Sequence, residues 1–415
     1  MESIINRLSK IIDNLPKSFS NNLSKNWRSF EVGGIHVYLI GENLDAYNEL
    51  LEELLNKEKW GAKFSEKYVD EVLKSSIFGI LEGGIEKAKE DFAVICHTIE
   101  TYSIEQTIHI PLGGISMYDI EELSLGKVKI IRVTEATLKE ILAATKAITR
   151  ATKNSPEEQD FFIQKDNEYL SREFLEKICA VYRVVAEPDR ANDLAEQETQ
   201  RALDLLRYSI PALYDSEDVF RIDLSSQTPS TYQPTLTLSS VGFVQNRRRL
   251  TRNYELSANN LEILKKIRVF ELSEILRKPN NELNEFEKSL LRGLHWFAGS
   301  QTQVEIENEF LNLTTCLEVF FTPKGRDPIS NSIAEGVALV LSKDLIERKN
   351  LKRRVKELYG YRSTVSHGKH ISILNKDLDD LKQISMFLLV KMVERKEEFA
   401  SIEDLINWLE EQKLS

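Results

Sequence analysis

Cysteine is scarce in this chain: three in 415 residues, Cys96, Cys179 and Cys316. An odd, widely spaced set supplies neither a disulfide framework nor a zinc site, and it suits the reducing cytoplasm. Long apolar runs are missing too. The longest, such as MFLLVKMV from Met386, fall well short of the ~20 residues that span a bilayer, so no membrane association is expected. The opening MESIINRLSKIIDNL is amphipathic and mixed in charge. It has no basic region leading into an apolar core, so no signal peptide is expected. Excess positive charge is absent as well. A net charge of -11 argues against binding nucleic acid over the whole surface, though not against one local basic site. Phosphate-loop signatures are lacking. Gly-Gly-Ile occurs at Gly33, Gly83 and Gly113, without a following Gly-Lys-Ser/Thr and without G-x-G-x-x-G. The triplets read as turns or bulges.

What is present fits a folded, soluble chain of two or three domains. Hydrophobic residues make up 41% and charged residues 29%, ordinary values for globular proteins. The fold class expected is α+β: a mixed α/β region over residues 1–256, then an all-α antiparallel helical bundle over 257–415. A subdomain break inside the first region is placed near 150–215. FEVGGIHVYLIG alternates like a strand with a Gly-Gly turn or bulge, and EQTIHIPLGGISM and KVKIIRVT also read as strands. DFAVICHTIE reads as a strand as well. EATLKEILAATKAI has helical spacing, and a long helical tract is expected from Ser171 through AEQETQRALDLLRYSI. Residues 218–244 read as β. From Ser257 onward nearly everything is amphipathic helix, with short loops that favour antiparallel neighbours. Ser401 reads as the N-cap of the last helix.

The basic run from Lys343 to Lys369 holds nine lysines and arginines against three acids. Such runs are often solvated helix faces. This one contains YGYRSTVSHGK, with Arg362 and His367 five residues apart near the expected end of a helix, and Gly368 suited to close it. On a regular helix five steps of ~100° put the two side chains about 140° apart, so one chain alone makes a poor site unless the helix ends between them. A two-fold dimer would gather two of each in one cleft. Imidazole can take a proton from a ribose 2′-hydroxyl or give one to a leaving 5′-oxygen. A guanidinium offers a fixed fork to the scissile phosphate as charge develops. Such chemistry needs the 2′-hydroxyl, so RNA would be cut and DNA spared, without a metal or other cofactor. His367 could equally be a helix cap. Glu318 could orient Arg362 or be an ordinary solvated acid. Tyr359 and Tyr361 could stack on bases or pack on the bundle. His295, between Leu294 and Trp296, reads as a packed helix residue. His36, His97 and His109 are assigned no chemistry.

Three stretches, LLRGLHWFAGS from Leu290, NEFLNLTTCLEVFF from Asn308 and LYGYRSTVSHGK from Leu358, resemble the HEPN superfamily, in its ApeA-like branch. The resemblance covers roughly 257–399 and not the N-terminal half. It implies that Arg362 and His367 form an Arg-x4-6-His ribonuclease site. The residue after the arginine, usually Asn, Asp or His in the family, is Ser363 here, polar but short. His370 and Glu318 would support the pair, and Lys352, Arg353, Lys356, Tyr361 and Lys369 would contact RNA. The implied protein is a cytoplasmic, homodimeric, metal-independent RNA endonuclease leaving 2′,3′-cyclic phosphate and 5′-hydroxyl ends. It would act in antiviral defence by abortive infection or in a toxin-like role, with the N-terminal half as a sensing or regulatory region and a phage-derived trigger as partner. The competing reading is a non-catalytic helical dimerisation or RNA-binding module.

Overall fold

In the computed structural model the described residues are 2–15, 27–32, 34–56, 58–102, 105–153, 155–215, 219–225, 232–239, 242–249, 252–303, 305–322, 329–366 and 373–414. The chain is mixed α+β, with sheet in its N-terminal part and helices in its C-terminal part. Contacts divide it into two compact units, residues 1–108 with 183–195, and residues 109–182 with 196–415. The change of character expected at 256 to 257 falls inside the second unit. No helix among the described residues is long and apolar enough to cross a membrane.

The first unit opens with α1 (Glu2–Asp13), followed by the hairpin β1 (Trp27–Val32) and β2 (Ile35–Ile40). Then come α2 (Glu42–Asn56), α3 (Glu58–Gly61) and α4 (Glu66–Tyr102). Ile5, Leu8, Leu39, Tyr47, Leu50, Leu54 and Leu73 form the core. Buried Asp70 accepts from the Tyr47 hydroxyl at 2.8 Å and pairs with Arg28 and Lys74 at 2.8 Å each. The returning segment is fastened by Glu187. Its N–H donates to the Lys63 carbonyl at 2.8 Å, and its carboxylate accepts from the N–H groups of Ser65, Asp189 and Arg190.

A five-stranded sheet has the order β5-β6-β7-β3-β8. Its strands are β3 (Glu105–Gly113), β5 (Glu122–Leu125), β6 (Val128–Arg132), β7 (Ile178–Val185) and β8 (Asp223–Leu224); β4 (Ile115–Met117) lies apart from it. Between β6 and β7 run α5 (Glu135–Thr152) and α6 (Pro156–Phe174), and after β7 comes α7 (Pro188–Leu213). A hairpin of β9 (Tyr232–Ser239) and β10 (Gly242–Arg249) follows. Then β11 (Tyr254–Leu256) pairs parallel with β4. The remainder is helical: α8 (Ala258–Lys266), α9 (Val269–Arg277), α10 (Glu285–Ser300), α11 (Ile306–Phe321), α12 (Ile329–Leu341), α13 (Leu345–Ser366), α14 (Asn375–Glu394) and α15 (Ile402–Leu414). Helix α10 packs on α11, and α11 packs on α12, α13 and α14. Phe286, Phe297, Phe310, Leu313, Phe320, Leu358, Leu381 and Leu388 fill the space between them. The Ser401 hydroxyl accepts from the Asp404 N–H at 3.2 Å, an N-cap contact for α15.

Two expectations fail on element type. Residues 91–100, DFAVICHTIE, continue α4 instead of forming a strand. The tract from Ser171 is not one helix: α6 ends at Phe174, β7 enters the sheet, and only then does α7 begin. The Gly-Gly-Ile triplets do mark breaks. Gly34, Gly84 and Gly114, the second glycine of each, all have positive φ, at the β1–β2 turn, a kink in α4 and the β3–β4 turn.

Candidate functional site

Helices α11 and α13 bring three polar side chains together at the expected site. Arg362, on the last turns of α13, faces Glu318 on α11. Its Nη2 donates to Glu318 Oε2 at 3.0 Å. Its Nε lies 2.5 Å from Oε1. That N–H does not point at the oxygen, however, and the buried Nε has no hydrogen-bond partner among the described residues. The Tyr359 hydroxyl donates to Oε1 at 2.7 Å, and the Arg362 guanidinium carbon lies 5.7 Å from the centre of the Tyr359 ring. Burial first, then the hydrogen bond to Glu318, push the Tyr359 phenol well above its ordinary pKa, so it stays a donor. Tyr359 and Arg362 are three apart, so one face of α13 carries both.

Glu318 also lines an open cavity of about 760 Å³, together with Arg292, Trp296, Thr315 and Thr322. The carboxylate therefore grips the guanidinium on one side and meets open space on the other. An arginine held this way is preorganised, and its remaining N–H groups can donate to an oxyanion.

The other predicted residues fall as follows. Ser363 is in α13. His367, Lys369 and His370 lie outside the described residues, as does Gly368. Tyr361 packs its ring 6.4 Å from that of buried Phe310. Lys352 is engaged by Glu335 on α12 at 2.7 Å, and Glu335 also pairs with Lys413. Arg353 and Lys356 are exposed, without an acidic partner among the described residues. Part of the basic run is thus internal bracing. Arg354, for example, is held by Asp377, Asp380 and Glu357.

A second constellation was not expected. His295 is not packed away. Its side chain is 71% exposed, and its Nδ1 lies 2.9 Å from Oδ2 of Asp204, which is only 9% exposed. The hydrogen bond to Asp204 raises the imidazole pKa above its usual value; burial and the nearby Arg207 and Arg201 oppose the shift. Asp204 also pairs with Arg207 at 2.9 Å, and Arg207 reaches Asp223 and the Ile222 carbonyl. The contact follows from helix packing. Tyr208, one turn beyond Asp204 on α7, stacks edge-on against Phe297 of α10, which delivers Asp204 to His295. The sequence did hold a signal: Asp204 and Arg207 stand among Leu203, Leu205, Leu206 and Tyr208, all buried. Charges inside an apolar stretch are the informative exceptions. Cys179 and Cys316 are buried free thiols, raised in pKa by that burial and thus poor nucleophiles.

No protein-family model, no curated protein and no solved structure matches the chain.

Proposed function

We propose that this protein is a metal-independent RNA endonuclease of the HEPN type, controlled by its N-terminal region. The observation that carries the proposal is the grip of Glu318 on Arg362, five residues before His367 in the sequence. A general acid-base histidine and a fixed guanidinium are the two functions that 2′-hydroxyl transesterification demands. In this reading His367 removes the 2′-proton or protonates the leaving 5′-oxygen, and Arg362 stabilises the charge growing on the phosphate. The Arg362 side chain is still 32% exposed while Glu318 holds it, so the N–H groups not engaged by the carboxylate could meet a phosphate oxygen. Exposed Arg353 and Lys356 on the same helix would attract the RNA backbone.

The active form in this reading is a homodimer through the helical bundle, which brings two Arg362–His367 pairs into one groove. Phe387 on α14 supports it. This residue is 53% exposed beside a hollow of about 440 Å³ that Leu341, Leu351 and Ile384 also line. An unregulated ribonuclease would poison its cell, which fits a toxin-like role in antiviral defence, with the N-terminal region restraining the nuclease until a phage-derived trigger releases it.

The test is digestion of RNA by the full chain in EDTA, with the product ends mapped. Cyclic 2′,3′-phosphates and 5′-hydroxyls are expected, with a loss of roughly 10²–10⁴ in rate for Arg362→Ala and for His367→Ala. RNA binding without cleavage by the wild type would favour a non-catalytic binding module, and full activity of His367→Ala would remove the assignment.

A further inference from the structure

A cavity between α7 and α10 has no part in the RNA cleavage proposed above. Its volume is about 870 Å³, within the range of small-molecule sites. The floor is a buried ionic network. Arg207, 7% exposed, is held by Asp204, Asp223, Gln200 and the Ile222 carbonyl. Burying such a network is costly, and it fixes the charged floor of the cavity in one geometry. One wall is the exposed face of α10. Lys288, Arg292 and His295 follow one another at i, i+4 and i+7, so all three project along one stripe of about 10 Å. Among the described residues neither Lys288 nor Arg292 has an acidic partner, whereas Arg201 across the cavity is taken by Glu198. His295 spends Nδ1 on Asp204, which leaves Nε2 for a ligand. Four leucines that are nearly closed to water, Leu224, Leu276, Leu283 and Leu294, give the cavity an apolar part.

We propose that this cavity binds a free nucleotide, its phosphates along the Lys288–Arg292–His295 stripe and its base against the leucines. Two cations without an acidic partner among the described residues, with a histidine beside them and an apolar wall, match a ligand that is anionic at one end and flat and apolar at the other. A simple anion would have no use for the leucines, and an apolar metabolite none for the cations. Exposed Gln197 and Asn280 at the rim offer amides to a base edge. Arg292 also borders the cavity beside Glu318, whereas Lys288, His295 and the leucines do not.

The test is calorimetric titration of the full chain with ATP, AMP, adenosine, pyrophosphate and a short single-stranded RNA. ATP is expected to bind more tightly than AMP, with pyrophosphate weaker than ATP and adenosine weakest. The double variant Lys288→Glu/Arg292→Glu should lose at least tenfold in ATP affinity, with its thermal melt reporting whether the fold is kept. His295→Gln, a milder change on an exposed side chain, should weaken ATP severalfold. Absence of ATP binding, affinity unchanged in a folded double variant, or pyrophosphate binding as tightly as ATP would each overturn the nucleotide assignment. So would binding of the RNA but not of ATP.

Discussion

Glu318 divides its carboxylate between two side chains of α13: one oxygen takes the Tyr359 hydroxyl at 2.7 Å and the other takes the Arg362 Nη2 at 3.0 Å. The residues lie 41 and 44 positions away in the chain, so this contact pins α11 to α13 at the candidate site. Glu318→Ala leaves a part-buried guanidinium and a phenol without their acceptor. Stability should fall by about 1–3 kcal/mol, read as a lower urea midpoint. RNA cleavage should fall by roughly tenfold to a hundredfold as Arg362 loses its orientation. Tyr359→Phe should cost less, about 0.5–1.5 kcal/mol.

His295 gives the fold a pH dependence of known sign. Its pKa is raised by the hydrogen bond to Asp204, against the pull of burial and of Arg207 and Arg201; Lys288 and Arg292 share its helix face. A raised value means that the charged ring stabilises the native state. That contribution is complete below the unfolded value of ~6.5 and is lost as pH climbs through the folded one. Urea unfolding of wild type and His295→Gln should therefore differ more at pH 5.5 than at pH 8.5. An equal difference at both would separate the ring from Asp204 in solution.

Helices α10 and α11 approach closely because residue 293 has no side chain. A Cβ there would meet the Phe320 ring at 2.9 Å and Leu389 at 3.3 Å, both fully buried. Gly293→Ala should destabilise by about 1–3 kcal/mol through overpacking, despite the better helix propensity of alanine. Chemical denaturation measures it.

Phe387→Asp puts a charge on the exposed apolar surface of α14. Sedimentation should show the wild type as a dimer and the variant as a monomer with weakened cleavage. A wild type that sediments as a monomer would count against the proposed dimer, and a variant that stays dimeric would exclude this face of α14.

Local patterns were legible in the sequence where local forces decide. Alternation and a glycine turn announced β1 and β2, and 3.6-residue spacing announced α5 and the helices from Ser257 onward. DFAVICHTIE misled because β-branched and aromatic residues are only a weak prior, and here a helix already under way continues through them. ICAVYRVV hid between two helices because a strand inside a sheet reads as a short apolar run, which periodicity does not separate from helix. The site divides the same way. Arg362 was visible through its basic neighbourhood. The pairing of Asp204 with His295, 91 positions apart, is a product of packing that no spacing rule encodes.

Residues 183–195 belong with residues 1–108, so the first unit is written in two instalments separated by seventy-four residues of the other. Glu187 closes the second instalment onto Lys63 and Ser65. On the ribosome that unit cannot finish folding until Ala195 has emerged. A truncated transcript ending anywhere between these two pieces would yield a fragment that lacks its own clasp.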